Sequence, residues 1–436
     1  MSAGHALERL SWGRFPRQRA ARVHALHWRD DALPLAAPLL PHGCGSSYGD
    51  SCLNADGTLV DTTRLDRLIA FDRGSGLVRC ESGVTLERLL DVIVPAGWFL
   101  PVTPGTRRVT VGGAIANDVH GKNHHRAGTF GRHVRALELL RSDGSRTECT
   151  PERDADRFAA TVGGLGLTGL ITWAEFQLRP IASAELEVET VRFHGVDEFL
   201  ALSAESAERF EHTVAWIDAT SRGRSFARGL FMRANHVEEA GPLTPRARSR
   251  RLSVPFDFPA VALSRLPVRA FNALHFHAAR AGTTRSHLEP FFYPLDSIGQ
   301  WNRMYGRRGF VQHQCVVPMQ PARGAVNALL EAITASGEAS FLSVLKVFGD
   351  RPSPGMLSFP RPGVTLALDF PMRGEQTLAL LERLDAIVME AGGAIYPAKD
   401  ARMSRETFRR SFPRLAEFLP HVDAAFSSSF WRRVHG

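Results

Sequence analysis

Three glycine-rich clusters constrain the fold of this chain more than any other feature of its sequence. They are Gly43–Asp50, Pro104–Ala114 and Gly163–Gly169. Glycine tolerates positive φ and has no side chain, so consecutive backbone N–H groups can approach a diphosphate closely. One such cluster is usually a turn, but three between Gly43 and Gly169 favour binding of a dinucleotide.

The third cluster contains a formal GxGxxG pattern, from Gly164 to Gly169. In a nicotinamide-binding Rossmann fold this pattern follows a strand and opens a helix, whose N-terminus binds the pyrophosphate. Here the order is reversed, because the helical pattern Asp154–Thr161 precedes it and the strand-like Leu170–Leu178 follows. The sequence therefore disfavours a Rossmann site and favours a loop that passes close to a cofactor held by another fold.

Short strands and helical patches alternate up to Pro180, which indicates an α+β or α/β domain. Beyond Pro180, alternating apolar segments indicate an antiparallel sheet with helices between its strands. The predicted strands are Thr58–Asp61, Gly76–Ser82, Leu170–Leu178, Ala184–Phe193, Thr213–Asp218, Phe310–Pro318, Phe341–Phe348, Gly363–Phe370 and Gly393–Tyr396. The predicted helices are Thr85–Val94, Asp154–Thr161, Ala325–Ser336 and Glu375–Ala391.

Residues 235–297 show no clear period and are rich in proline, arginine and aromatic residues, so we expect a long irregular loop there. It contains the run Arg246, Arg248, Arg250 and Arg251, followed by aromatic residues. A solvated loop is the simpler interpretation of this run. Contact with an anionic membrane surface is the alternative.

Charge and composition narrow the classes of partner. The 436 residues carry a net charge of +8, which suits nucleic acid, an acidic membrane face or a phosphorylated ligand. The arginines are scattered and no nucleic-acid-binding motif occurs, so we expect no nucleic acid. Five cysteines without a CxxC pair indicate neither a disulfide framework nor a zinc ribbon. Without an apolar h-region or an apolar run of about 18 residues, we expect a cytoplasmic or peripheral membrane protein.

A polar loop, Asn117–His125, lies between the second and third glycine clusters. It contains three histidines, but their spacing does not match a metal site on a helix, so no metal is expected. His120, directly before Gly121, is the best candidate to face a cofactor. For His124 and His125 a structural role and a cofactor-loop role remain equally open.

Four strings make the chain recognisable: Gly43–Asp50, Pro104–Ala116, His120–His125 and Tyr396–Asp400. Together they resemble FAD-dependent oxidoreductases of the vanillyl-alcohol oxidase superfamily, and within it the decaprenylphosphoryl-β-D-ribose 2-oxidase family. The likeness continues through Phe341–Gly349 and the Asp-Phe-Pro string Asp369–Pro371, and it covers nearly the whole chain. It implies an α+β fold of two lobes: a PCMH-type FAD-binding domain from residues 8–180, completed by 395–436, and a substrate domain from 181–394 built on an antiparallel sheet.

The resemblance also implies a reaction and its partners. The C2 hydroxyl of a polyprenyl-phosphoryl-β-D-ribose would be oxidised to a 2-keto sugar, the first half of an epimerisation to the arabinose form used in cell-wall polysaccharide. A separate short-chain reductase would then act on the keto product. Association with the membrane periphery would follow from the lipid substrate.

The matching positions imply roles for individual residues. Lys399 and His120 match catalytic positions, and Tyr305, Gln314, Lys346, Thr365 and Lys399 match substrate-pocket positions. The implied FAD-binding residues are Gly43, Gly45, Ser46, Ser47, Tyr48, Gly49, Gly105, Thr110, Val111, Gly112, Gly113, Asn117, His120, Gly121, Lys122, Asn123, His124, Ile171 and Tyr396.

The chain departs from the family at three positions. Ser46 stands where many members of the superfamily have a histidine bonded to the flavin, so we expect FAD held without a covalent link. Ala367 replaces a pocket cysteine and Thr365 a common asparagine, which makes the fit to one particular sugar less secure. A flavin-dependent oxidase of free sugars, alditols or aldonolactones therefore remains an alternative, as does a flavin-binding protein without activity.

The chain has only three lysines among 53 basic residues: Lys122, Lys346 and Lys399. All three fall inside strings that carry the resemblance. An ammonium is compact and can lose its proton when buried, whereas a guanidinium is forked and stays charged. We therefore expect these three positions to need the chemistry of lysine.

Overall fold

The computed structural model describes residues 10–245 and 252–436, and its two largest sheets divide the chain near residue 180. Up to that point the strands are β1 (Arg22–Ala25), β2 (Leu39–His42), β3 (Thr58–Asp61), β4 (Leu68–Asp72), β5 (Leu77–Glu81), β6 (Trp98–Phe99), β7 (Val134–Leu140), β8 (Arg146–Cys149), β9 (Leu170–Gln177) and β10 (Arg179–Pro180). The helices are α1 (Leu86–Ile93), α2 (Val111–Ala116), α3 (His124–Ala127) and α4 (Ala155–Thr161).

Beyond residue 180 the strands are β11 (Glu185–His194), β12 (His212–Ile217), β13 (Arg228–His236), β14 (Leu252–Ser253), β15 (Gly282–His287), β16 (Ile298–Gly299), β17 (Phe310–Val317), β18 (Ser343–Phe348), β19 (Gly363–Pro371) and β20 (Ala394–Ile395). The helices are α5 (Gly195–Ser206), α6 (Arg265–Ala278), α7 (Leu288–Phe292), α8 (Ala322–Ser336), α9 (Glu375–Glu390), α10 (Arg405–Ser411), α11 (Leu415–Phe418) and α12 (Ser429–Val434).

The first part combines a parallel sheet, in the order β1-β3-β2, with an antiparallel sheet in the order β4-β5-β9-β7-β8. The second part is built on an eight-stranded antiparallel sheet in the order β15-β11-β13-β12-β18-β19-β17-β20, and it also contains the short parallel pair β14-β16. Mixed helix and sheet in this arrangement confirm the predicted α+β class. The boundaries at residues 180 and 395 remain predictions.

The large sheet has one face under helices and the other turned towards a cavity. Along β17, Val311, Cys315 and Val317 pack into the same apolar core as α8 and α9. Because side chains alternate across a strand, Gln312 and Gln314 point to the opposite face, where they line the cavity. β17 is buried along its whole length for this reason.

The C-terminal stretch contacts both parts of the molecule. Leu39 donates its backbone N–H to Ala425, and the Arg433 guanidinium pairs with Asp50 at 2.7 Å. Phe430 and Trp431 of α12 pack into the core beneath the large sheet. The stretch therefore closes the first part while resting on the second.

The prediction of an irregular loop over residues 235–297 was wrong. The stretch contains the end of β13, the helix α6, the edge strand β15 and the helix α7. The hydrophobic periodicity of these elements is weak, because β15 is a mostly exposed polar strand at the sheet edge beside β11 and α6 buries few of its residues. The arginine run 246–251 lies outside the described residues.

Among the helices that the structure describes, none combines the length and the apolar character needed to cross a bilayer.

Candidate active site

A cavity of about 1100 Å³ lies between the glycine clusters and the open face of the large sheet. Pockets for one small ligand usually measure about 300–1,000 Å³. This cavity lies just above that range, which suits a large ligand such as a cofactor. We call the part of its wall formed by the three glycine clusters the glycine end, and the part that contains Lys122, Lys346 and Lys399 the lysine end.

The glycine end is made largely of backbone and small side chains from all three glycine clusters. Gly166 and Gly169 of the third cluster contribute to it beside the first two. The predicted cofactor residues in the cavity wall are Gly43, Gly45, Ser46, Ser47, Tyr48, Gly105, Thr110, Gly112, Gly113, Asn117, His120, Gly121, Lys122, Ile171 and Tyr396.

Two details show that the glycine end suits a polar ligand. The hydroxyls of Ser51 and Ser82 line the cavity, are buried and have no hydrogen-bond partner among the residues that the structure describes. Buried hydroxyls normally find a partner, so a bound polar group is expected there. A Cβ at Gly105 would meet no protein atom within 4 Å, so this position opens to the cavity.

Five predicted site residues do not line the cavity. Val111 is in the apolar core, and Asn123 donates its side-chain amide to the Pro101 carbonyl at 2.8 Å. A Cβ on Gly49 would lie 1.7 Å from the Asp400 carbonyl oxygen, so this glycine allows two loops to touch. His124 packs on Phe348 with ring centroids 4.4 Å apart. Tyr305 is described with the Asp369 network below.

The lysine end brings together all three lysines of the chain. Lys399 lies just after β20, with its Nζ atom 3.6 Å from the centre of the Tyr48 ring. Burial lowers the pKa of Lys399, while the Asp369 carboxylate acts in the opposite direction. A buried amine in this setting can exchange its proton near neutral pH.

Asp369 was missed by the sequence reasoning, although it lies in the recognised Asp-Phe-Pro string. It is fully buried on β19, and burial raises the pKa of its carboxyl group. Its carboxylate accepts hydrogen bonds from Gln312 and, at 3.4 Å, from the Tyr305 hydroxyl. Tyr305 in turn stacks on Phe310 with centroids 4.1 Å apart. The predicted pocket residue Tyr305 thus holds the Asp369 carboxylate by a hydrogen bond and does not line the cavity itself.

His120 bridges the two ends of the cavity. The Lys346 ammonium lies 3.1 Å from its Nδ1 atom, and the Gln314 amide lies 2.9 Å from Nε2. Burial, and then the charges of Lys346, His124 and Lys399, hold the pKa of His120 well below its ordinary value. A neutral imidazole donates a hydrogen bond at one ring nitrogen and accepts one at the other, so His120 links Lys346 to Gln314.

Lys346 and Thr365 face each other across β18 and β19, where they are register partners. Lys346 also donates to the Gly121 carbonyl at 3.2 Å, and the Gln314 amide donates to Thr365 at 3.3 Å. Burial and the charge of Lys399 lower the pKa of Lys346 to about 7. Lys346 therefore turns into the cavity wall rather than to bulk solvent.

Lys122, the third lysine of this end, is held by contacts with Phe291. Its ammonium donates to the Phe291 carbonyl and lies 4.2 Å from the centre of the Phe291 ring. Burial and the charge of Lys346 lower the pKa of Lys122 to about 7. Phe291 belongs to α7, in the stretch that was expected to be a loop.

Comparisons with known proteins agree with this geometry. Residues 31–150 match the model of an FAD binding domain. The chain is 37% identical to the decaprenylphosphoryl-β-D-ribose oxidase of Mycolicibacterium smegmatis, over 91% of this chain and 89% of that protein. The chain belongs to the decaprenylphosphoryl-β-D-ribose oxidase family. It is thus an FAD-dependent oxidoreductase of the vanillyl-alcohol oxidase superfamily, as the motifs predicted.

More distant relatives share only part of the chain. Mouse L-gulonolactone oxidase is 31% identical over 32% of this chain, and human Δ(24)-sterol reductase is 31% identical over 33%. The cavity, the glycine clusters and the unpartnered serine hydroxyls fit FAD, which confirms the predicted cofactor. The absence of a covalent link at Ser46 stays a prediction; the Ser46 hydroxyl donates to the Arg108 carbonyl at 3.0 Å.

One cluster outside the cavity has the ligand types of a metal site. Glu211, His212 and His236 bring ligand atoms within 4.8 Å of one another. However, Glu211 is paired with Arg179. The charges of Arg179 and Lys122 also add to burial in lowering the pKa of His212. Neighbouring positive charges oppose a bound cation, so the expectation of no metal is kept as a prediction.

Proposed function

We propose that this enzyme oxidises a secondary alcohol, the C2 hydroxyl of a polyprenyl-phosphoryl-β-D-ribose, to the 2-keto sugar. The observation that carries the proposal is the lysine end of the cavity, where Lys399, under the influence of the buried Asp369 charge, lies beside a wall that continues into apolar side chains. That extension is lined by Leu263, Val268, Phe271, Leu295 and Ile298. A sugar phosphate with an apolar tail matches both parts.

The oxidation removes a hydride from carbon and a proton from the hydroxyl oxygen. FAD, when bound, supplies the hydride acceptor. We assign the hydroxyl proton to Lys399, whose lowered pKa leaves a fraction of neutral amine to accept it. Asp369 keeps the resulting ammonium stable, since it is the opposite charge that raises the pKa of Lys399.

His120 and Lys346 serve to orient ligands in this proposal. With His120 neutral, the hydrogen-bond chain from Lys346 through His120 to Gln314 and Thr365 holds these side chains in place. The Lys346 ammonium supplies positive charge next to the space where an anionic group would lie. Removal of His120 should therefore weaken substrate positioning more than it weakens FAD binding.

Formation of the keto product would be the first half of an epimerisation to the arabinose form. A separate reductase must then deliver hydride to C2, because an FAD enzyme that only oxidises cannot complete the inversion. The arabinose form would serve cell-wall polysaccharide synthesis. The M. smegmatis relative, which is named an oxidase of decaprenylphosphoryl-β-D-ribose, supports the oxidation step.

Anaerobic titration with candidate substrates tests the proposal. Purified protein should be yellow, and polyprenyl-phosphoryl-β-D-ribose should bleach the visible flavin absorption while free pentoses and alditols leave it unchanged. Acid precipitation should release the colour into the supernatant, as expected for a non-covalent cofactor. A colourless protein that FAD does not affect would overturn the assignment.

A free sugar, alditol or aldonolactone as substrate is the second candidate. The small side chain of Ala367 in the cavity wall favours it, because that pocket position then restricts the sugar less. The partial match to mouse L-gulonolactone oxidase supports the same class. In the titration above, bleaching by free sugars alone would select this alternative.

A further inference from the structure

The helix α6 carries an exposed apolar face beside the cavity. Of the 13 large hydrophobic side chains that the described residues leave exposed, six lie between Leu252 and Leu274. They are Leu252, Phe256, Val261, Leu266, Phe271 and Leu274. Soluble proteins rarely gather exposed apolar side chains in one region unless that region contacts something.

The helix is fixed to the large sheet through its opposite face. Val268, Asn272 and Phe276 are buried at a spacing of four residues. The Asn272 amide donates to the Asp218 carboxylate at 3.0 Å and to the Ser340 carbonyl at 3.2 Å. Phe276 packs with Trp216 and Leu230 of the sheet. Because these contacts fix the orientation of α6, its apolar outer face stays exposed in the folded protein.

The outward face is continuous with the mouth of the cavity. Pro267 and Phe271 are exposed and also line the cavity, and His275 and Arg280 continue this edge. Leu266 and Leu274, which are 75% and 69% exposed, stand two helical turns apart on the outer face. A molecule resting on this face therefore has direct access to the cavity.

The charge around this face is positive. Between Leu252 and Arg280 the only acidic residue is Asp257, and it is paired with Arg14 at 2.7 Å. Arg269 and Arg280 are both exposed. Apolar side chains flanked by arginine on a helix fit the interface of an anionic bilayer, where the apolar groups enter the acyl region and the arginines meet phosphates.

We propose that the outer face of α6, together with the exposed Leu252, Phe256 and Val261 of the segment before it, docks on the surface of an anionic phospholipid bilayer. The choice of a lipid surface rests on the proposed function, because a polyprenyl-linked sugar resides in the bilayer and the cavity opens at this face. The sugar phosphate then enters from the membrane without its apolar tail crossing water. A second copy of this chain fits less well, since a two-fold contact would bring arginine against arginine.

Vesicle flotation of the FAD-loaded enzyme tests this surface. Wild type should bind vesicles of phosphatidylcholine with phosphatidylglycerol more tightly than vesicles of phosphatidylcholine alone. The double variant Leu266→Ser/Leu274→Ser should lower the partition coefficient at least about tenfold, and Arg269→Glu should weaken binding only to the anionic vesicles. The matched control Leu35→Ser, at an exposed leucine far along the chain from α6, should bind like wild type.

Activity separates this proposal from the proposed function. On a short-chain, water-soluble prenyl-phosphoryl ribose, the double variant should reduce its flavin at the wild-type rate, while on substrate in vesicles its kcat/KM should fall. Absence of wild-type binding to vesicles, or equal binding by the double variant, would overturn the membrane surface whatever the substrate. So would light scattering that shows a dimer which the double variant converts to monomer. Failure of every prenyl-phosphoryl ribose to bleach the flavin, with vesicle binding intact, would instead overturn the proposed function.

Discussion

The two ends of the cavity are built in different ways. The glycine end uses backbone and small side chains from three clusters within the first 170 residues, and its ligand contacts follow from the close approach that glycine permits. The lysine end uses charged and polar side chains from β17, β18, β19, the loop before α3 and the loop after β20. The difference suggests that one end holds the cofactor and the other carries the chemistry, so variants at the two ends should fail in different ways.

Lys399→Ala should give the largest effect. The variant should keep its FAD yet slow flavin reduction by substrate about 10²–10⁴-fold, because the group that accepts the hydroxyl proton is lost. Stopped-flow reduction under anaerobic conditions measures this. Lys399→Arg, which keeps a positive charge but cannot release its proton at neutral pH, should be similarly slow. Normal reduction in either variant would remove Lys399 from its role.

Gly105→Val should show the opposite pattern. The added side chain enters the cavity without meeting the protein, so we expect FAD affinity to fall about tenfold or more. The reduction rate of the FAD-saturated variant should stay near that of wild type. Fluorescence titration of the apoprotein measures the affinity. The matched control is Gly324→Val on α8, where a Cβ also meets nothing; equal losses in both variants would contradict a ligand at Gly105.

Lys122→Arg tests whether the lysine end tolerates a larger cation. The buried site offers one backbone carbonyl, of Phe291, whereas a guanidinium brings five donors. Overpacking should therefore reduce the free energy of unfolding by about 1–3 kcal/mol, which thermal unfolding of the holoenzyme will show. The exposed Arg383 offers a control, since Arg383→Lys should leave the unfolding temperature unchanged. An unchanged free energy of unfolding in Lys122→Arg would mean that this position accepts lysine and arginine equally.

Asp369→Asn should produce the smallest change, a displacement of the pH profile. Reduction requires neutral Lys399, so its rate should rise as the pH passes the pKa of Lys399. The Asp369 carboxylate raises that pKa, and its removal should lower the pKa and move the rising limb to lower pH. Rates of flavin reduction across pH measure the limb. Glu331→Gln, on the exposed side of α8, should leave it in place, and a shift of Asp369→Asn to higher pH would contradict the coupling.

Much of the glycine end could be predicted from local sequence. Glycine clusters indicate directly where the backbone must approach a ligand or adopt positive φ. The order of helix and strand around Gly164–Gly169 argued against a Rossmann site, and the structure has α4 before this loop and β9 after it. Positions such as Gly49 and Val111 were carried over by the resemblance but serve packing. Local patterns do not distinguish a residue that touches a ligand from one that lets its neighbours touch each other.

Residues 235–297 contain a helix that local hydrophobic patterns did not predict. The helix α6 buries Val268, Asn272 and Phe276 and exposes Leu266, Phe271 and Leu274. With apolar residues on both faces, its sequence shows no clear helical period. Only docking on the sheet decides which of the two faces is buried.

The sequence by itself determined the α+β class, the flavin cofactor and the family, because these depend on local backbone needs and on strings that stay together along the chain. The tertiary structure alone decided that His120, Lys346 and Lys399 converge on one cavity, with the charge of the buried Asp369 acting on Lys399. These residues lie far apart in sequence, and their pKa values depend on burial and on charges brought near by other strands. Such effects arise from long-range packing, which no local pattern records.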